Sequence, residues 1–449
     1  MSTFDLVLRN GSVVLDGAVI RADVGIRDGM IVELATGIGG TTDEERDCTA
    51  MHLLPGMIDA HVHFNEPGRT DWEGWATGSL ALAAGGGTVA IDMPLNSDPP
   101  VLTATEVELK RAAAESSSIV DFALWGGLTP INREALSGLA DAGVIGFKAF
   151  MSNSGIAEFP AADDATLLIG MEIAAERGLV VAVHAENDAI TAELAARAVG
   201  AGKTSWADWV ATRPVHAETE AIARAIRIAE GTGCKLHIVH VSSVEGVAEV
   251  VAGRARGVDV TCETCPHYLT FTADDLPTLC AHGKCAPPLR SEANRLGLWD
   301  ALASGQIQTV GSDHSPAPPS MKSGGEPFAA WGGISGCQSS LPALLSEGYH
   351  HGRLDLPTVA RASASTVAER FRLGPRGRIA PGHIADIALV DLERSFTLRA
   401  EDLRYRHHHS AYVGRDFRGS VVATYAGGEL IWHDGQSAVH RRGHMIRPT

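Results

Sequence analysis

Between residues 57 and 312 the chain repeats one pattern, a short apolar run followed by a longer Ala-rich stretch with helical spacing. The runs that read as strands cover 57–63, 88–93, 121–126, 144–150, 180–184, 235–241, 258–263 and 308–312. The stretches that read as helices cover 75–84, 105–116, 133–142, 164–177, 218–231, 244–256 and 294–303. The strands are nearly continuously apolar, the pattern of a sheet covered on both faces. Strands alternating with helices make a parallel sheet, either a closed (β/α)8 TIM barrel or an open doubly wound sheet. The polar residues ending these strands come from the whole set, and only closure brings them to one centre, so the barrel is the expected fold.

Both flanks differ. Residues 1–53 read as short strands with Gly punctuation, including a hairpin over 24–34 that turns at Asp28-Gly29. Short strands return after residue 373, at 382–392 and 421–432. Neither flank is long enough for a secure core of its own. The expectation is therefore one small β-sandwich domain formed from 1–53 and 374–449, beside a barrel of residues 54–373.

Composition excludes several classes. A formal net charge of −17 argues against general binding to nucleic acid or anionic membranes. The first ten residues carry neither a basic stretch nor a long apolar one, and no apolar run approaches the ~18 residues of a membrane span. Seven cysteines scattered from Cys48 to Cys337 suit reduced thiols in the cytoplasm. Cys262-x-x-Cys265 has no second pair to complete a zinc site and reads as packed thiols. His407-His408-His409 reads as a surface run.

The candidate chemistry lies at the C-terminal ends of the strands, where barrel active sites are built. The first strand ends Ala60-His61-Val62-His63, and alternation points both histidines the same way. The fourth supplies Lys148, the fifth His184, the sixth His240 and the eighth Asp313. Imidazoles and a carboxylate suit zinc, with cobalt, manganese or nickel as alternatives. With one more bridging ligand the set serves two divalent metal ions. Lys148 on an apolar strand would be repelled by cations as an ammonium. Carboxylated by CO2 to N6-carboxylysine, it becomes an anionic bridge with two oxygens. Two metals together activate water and polarise a carbonyl, and Asp313 is placed to move the proton. His237 falls on the face opposite His240 and reads as structural, and His314 should point away from Asp313. His267 either lines the mouth or packs.

These residues together resemble the cyclic-amidase branch of the amidohydrolase superfamily over nearly the whole chain. The resemblance implies a barrel with a β-sandwich from both termini and a binuclear centre. His61, His63 and Asp313 would serve one metal, His184 and His240 the other, with carboxylated Lys148 between them. The motifs are His61 to Gly74, Asp92 to Ser97, Ser312 to Pro316 and Trp331 to Pro342. They are most similar to members that open the hydantoin ring of allantoin to give allantoate in purine salvage. Dihydroorotases usually carry Arg where this chain has Asn65. Hydantoinases and dihydropyrimidinases usually carry Tyr shortly after the lysine, and the segment Phe150 to Phe159 has none; they remain the alternative, with the same metal mechanism. Substrate contacts are expected from Asn96, Ser315 and backbone groups around Ala286 and Gly333. A barrel stripped of ligands would be a scaffold, but here every ligand position is filled. The resemblance also implies a homotetramer.

Overall fold

Eight parallel strands form the centre of the structure, a computed structural model that describes residues 3–323, 325–437 and 442–449. They are β1 (Met57–Val62), β2 (Gly87–Asp92), β3 (Asp121–Leu124), β4 (Gly146–Phe150), β5 (Val180–His184), β6 (Lys235–Ile238), β7 (Val260–Thr264) and β8 (Thr309–Val310). β1, β2 and β3 pair in that order. Past Trp125 the third strand resumes as Gly126–Gly127 and pairs with β4, from which the order runs on to β8. The ring closes between β8 and β1. Val62 bridges His314 in parallel, His63 N–H donates to the His314 carbonyl at 2.8 Å, and Ser312 N–H donates to Asp59 Oδ1 at 2.9 Å. Buried Val89, Ile91, Val180, Ala182 and Val239 pack together in a core that also takes in Trp125 and Phe371.

Helices cover the outside, and several start on side-chain caps. Thr103 and Glu106 form a reciprocal capping box on Ala104–Ser117, and Asp163 and Asn187 cap Asp164–Glu176 and Asp188–Gly200. Asp188–Gly200 and Trp206–Ala211 had no counterpart in the sequence reading. The same is true of the helices after β8, Ser340–Ala343, Leu356–Ala360 and Thr366–Arg370, which are joined by π-helical turns at Leu344–Tyr349 and Arg361–Ser365. Two strands expected to reach 241 and 312 stop at Ile238 and Val310. In the first, His240 takes φ of 40°, a region strands do not use.

The flanking strands share one sheet. His52–Pro55 lies between Phe4–Val14, which it meets in parallel, and Ile387–Thr397, which it meets antiparallel through Leu53↔Leu389 and Pro55↔Ile387. Leu6, Leu8, Val24 and Ile26 from the N-terminal side pack with Ile387, Leu389 and Ala423 from the C-terminal side. The Asp28-Gly29 hairpin has φ of 51° and 73°, as a two-residue turn with both centres left-handed requires. Among the described residues no helix is long and apolar enough to cross a membrane.

Candidate metal centre and active site

β1 delivers His61 and His63 side by side, with ring centroids 5.5 Å apart. Asp313, just past β8, reaches both: its Oδ1 is 3.3 Å from His61 Nε2 and 3.4 Å from His63 Nε2. Among the described residues, one group of three or more His, Cys, Asp or Glu side chains gathers within 4.8 Å, and it is this one. Burial works against the Asp313 carboxylate, but His61, His63 and His240 hold its carboxyl well below the usual range. On the far side of its ring, His61 Nδ1 donates to Glu263 Oε1 at 2.9 Å from the end of β7. That bond leaves the Nε2 lone pair facing Asp313. Burial also opposes the Glu263 carboxylate, yet His237 and His61 outweigh it and bring the carboxyl down to about 2.

The second group adjoins the first, with the His61 and His240 rings 5.4 Å apart. His184 ends β5 and donates from Nε2 to Glu186 Oε2 at 2.9 Å, which leaves its Nδ1 lone pair 3.0 Å from His240 Nε2. Arg213 pairs with the same Glu186 oxygen. Against the pull of burial, Arg213 and His184 hold the Glu186 carboxyl down to about 2.

Lys148 lies on β4. It is fully buried, its Nζ has no hydrogen-bond partner, and it sits 4.8 Å from the Phe150 ring centroid. Burial pushes the amine down to about 7, against the opposing pull of Asp313 and Glu263. A buried amine without an acceptor is costly unless something completes it. Converging imidazole lone pairs, a carboxylate and this amine fit divalent cations.

A cavity of about 410 Å³ opens over the centre. His61, His63, His184, His240 and Asp313 face it, and so do Asn96, Ala286, Ser315 and Gly333, while Lys148 does not line it. Asn96, at φ 68°, brings its side-chain nitrogen to 3.4 Å from His63 Nδ1. Gly333 has φ 113°, and a Cβ there would lie 2.3 Å from the Ser315 carbonyl oxygen, so only glycine allows the approach. Its N–H already donates to the Lys284 carbonyl at 2.7 Å. Its carbonyl oxygen accepts from Lys322 Nζ at 2.5 Å, which leaves one oxygen lone pair for a ligand.

The other candidates sort themselves. His237 bonds Thr261 Oγ1 at 2.8 Å and supports Glu263 from 3.9 Å. His314 turns away from Asp313, accepting from Gly336 N–H at 3.1 Å. His267 packs instead of lining the cavity, and both its ring nitrogens lack hydrogen-bond partners. The cysteines are all free, and Cys262 and Cys265 are buried. The histidine run is less exposed than expected: His409 packs on His282 at 4.8 Å, and His407 and His409 engage the Asp71 and Ala317 carbonyls. Glu263, Glu186 and Arg213 were not anticipated. Glu263 carried a usable signal, since it ends the seventh strand as the other candidates end theirs. Arg213 carried none, because it arrives from the long β5–β6 connection.

The sequence profile described as the Amidohydrolase family matches residues 52–431. Among curated proteins, an allantoinase of Rubrobacter xylanophilus is 52% identical, covering 100% of this chain and 98% of that protein. An allantoinase of Deinococcus radiodurans is 49% identical, covering 99% of each. Among solved structures, an L-hydantoinase (dihydropyrimidinase) from Arthrobacter aurescens superposes with a TM-score of 0.96 at 31% identity, covering 99% of this chain and 100% of that one.

Proposed function

The chain belongs to the amidohydrolase family, and on that premise we propose that it hydrolyses the hydantoin ring of allantoin to allantoate. The observation that carries the chemistry is the gathering of His61, His63 and Asp313 within 4.8 Å beside a buried, unpartnered Lys148. The substrate rests on full-length likeness to allantoinases at about half identity. Hydantoinase or dihydropyrimidinase activity is the second reading, favoured by the structural neighbour.

The family implies divalent metal ions. His61, His63 and Asp313 would hold one and His184 and His240 another, with zinc preferred and cobalt, manganese or nickel as alternatives. Lys148 would join the two sets as a carbamate: its neutral amine adds to CO2, an N–C bond forms, and one proton leaves. Bound there, the metals would supply an activated water and polarise the ring carbonyl. Asp313 takes the water's proton as the C–O bond forms and passes it to the ring nitrogen as the C–N bond breaks. Glu263 and Glu186 keep His61 and His184 in the tautomers that present a lone pair to the centre. Asn96, Ser315 and the backbone at Ala286 and Gly333 orient the ring. We also assign residues 1–53 and 374–449 to one discontinuous β unit, residues 54–373 to the barrel, and the assembly to a cytoplasmic homotetramer, which sedimentation tests.

The deciding assay gives metal-reconstituted protein racemic allantoin, hydantoin, dihydrouracil and dihydroorotate, with Lys148→Ala as control. Ring opening of allantoin, lost in the control, is expected. Preference for hydantoin or dihydrouracil would replace the substrate and keep the mechanism. Absence of bound metal would overturn both.

A further inference from the structure

Behind one wall of the cavity lies a lysine that the chemistry above leaves unused. Lys322 ends the short turn Pro319–Lys322, and its side chain runs inward until it is buried. Its Nζ donates to three carbonyl oxygens, of Ala281 at 3.2 Å, Trp331 at 3.0 Å and Gly333 at 2.5 Å. An ammonium has three donors and here meets three acceptors. Two of them belong to the segment 331–333 that walls the cavity, and the third belongs to the turn leading into Ala286 on the adjoining wall. Lys284 ties the same two segments in the opposite sense. Its Nζ donates to the Ala330 carbonyl at 2.5 Å, and its own carbonyl accepts from Gly333 N–H. Trp331 N–H donates to the Met321 carbonyl at 3.0 Å and completes the frame.

This arrangement is costly. Burial and the neighbouring Lys284 both disfavour the charge, and the Lys322 ammonium is pushed down to about 7. What the cation gains is a fixed orientation for carbonyls at a segment that has no strand or helix to hold it, since residues 331–333 lie outside regular structure.

We propose that Lys322 is a positioning residue for substrate, an internal cation that holds the Gly333 carbonyl at the place where the imide N–H of the ring meets it. Lys322 does not touch the substrate; it acts through Gly333. The inference rests on the reading that the ring's imide edge lies against Ala286 and Gly333. It does not depend on which cyclic imide is the substrate, because hydantoin, dihydrouracil and allantoin share that edge.

The test compares the wild type with Lys322→Met and Lys322→Ala on whichever of these rings the wild type opens, with bound metal measured throughout. The expected result is a KM raised at least about tenfold, the scale of a weakened charge-assisted contact, with a smaller change in kcat and unchanged metal content. In Lys322→Ala, added ammonium or methylammonium should restore KM by seating among the three carbonyls, and tetramethylammonium, which lacks N–H donors, should not. If these variants do not fold, Lys322→Gln, which keeps two donors, should fold and show an intermediate KM. Unchanged KM in folded, metal-loaded protein, or a loss confined to kcat, would overturn the proposal. Absence of allantoin turnover in the wild type would instead strike the assignment of substrate, and the comparison would then be read on the ring that is opened.

Discussion

Glu263 and Glu186 each accept one imidazole proton, from His61 at Nδ1 and from His184 at Nε2. The two histidines therefore present different nitrogens to the same centre, and the carboxylates decide which. Replacing Glu263 by Gln keeps the shape but allows the amide to donate, so His61 is free to adopt the other tautomer. Metal affinity should fall about 10–100-fold, the usual effect of losing such a support, as read by equilibrium dialysis against a competing chelator. Retention equal to wild type would show that strand geometry alone orients His61. At this scale the sequence was legible where chemistry coincided with periodicity. His61, Lys148 and His184 lie on strands and His63 directly follows one, so their face and depth follow from alternation. Their supports were less legible: Arg213 and Lys322 sit in connections, where no period predicts a neighbour. Gly333 shows the same limit, because its N–H is consumed by Lys284 and only the fold reveals it.

At the scale of elements, what holds the terminal sheet together can be tested by pH. Asp23, on Val19–Arg27, accepts from Asn10 N–H at 2.8 Å, Ile38 N–H at 3.0 Å and Arg9 Nη1 at 3.0 Å. Burial alone would raise its carboxyl, but these three donors lower it below the ordinary value. A lowered acid stabilises the fold above its unfolded pKa, near 3.8, and that contribution fades as pH falls through the folded value. Asp23→Asn should cost ~1–3 kcal/mol at neutral pH, and the gap from wild type in denaturant titrations should narrow below about pH 4. A gap that stays constant into acid would mean that shape, not charge, carries the contact. The barrel strands and seven of the helices were legible because burial on two faces or one leaves a plain pattern. The helices after β8 were not. Their π-helical turns at Leu344–Tyr349 and Arg361–Ser365 break the 3.6-residue spacing on which a sequence reading depends.

For the whole molecule, the question is what joins barrel to terminal sheet, and one guanidinium takes part directly. Arg376 is buried and bonds Asp121 Oδ2 at 2.6 Å and Asp386 Oδ2 at 2.5 Å. Asp121 opens β3, while Asp386 immediately precedes the strand Ile387–Thr397. The chain's end is drawn in as well: His444 N–H donates to Asp121 Oδ1 at 3.0 Å, and Met445 bridges Phe122. Burial works against the Arg376 charge, but Asp386 and Asp121 more than restore it. Arg376→Met removes a cation shared by two buried carboxylates, a loss of up to ~3–5 kcal/mol, seen as a fall of several degrees in Tm. Since Asp121 lies at the start of its strand and the metal centre at the strand ends, bound metal and KM should stay at wild-type values in the folded fraction. Adding Asp121→Asn should change the loss non-additively, because Asp121 and Arg376 are in direct contact. If metal content fell together with Tm, the two faces of the barrel would be energetically coupled, and the separation of stability from chemistry along the strand axis would not hold for this chain.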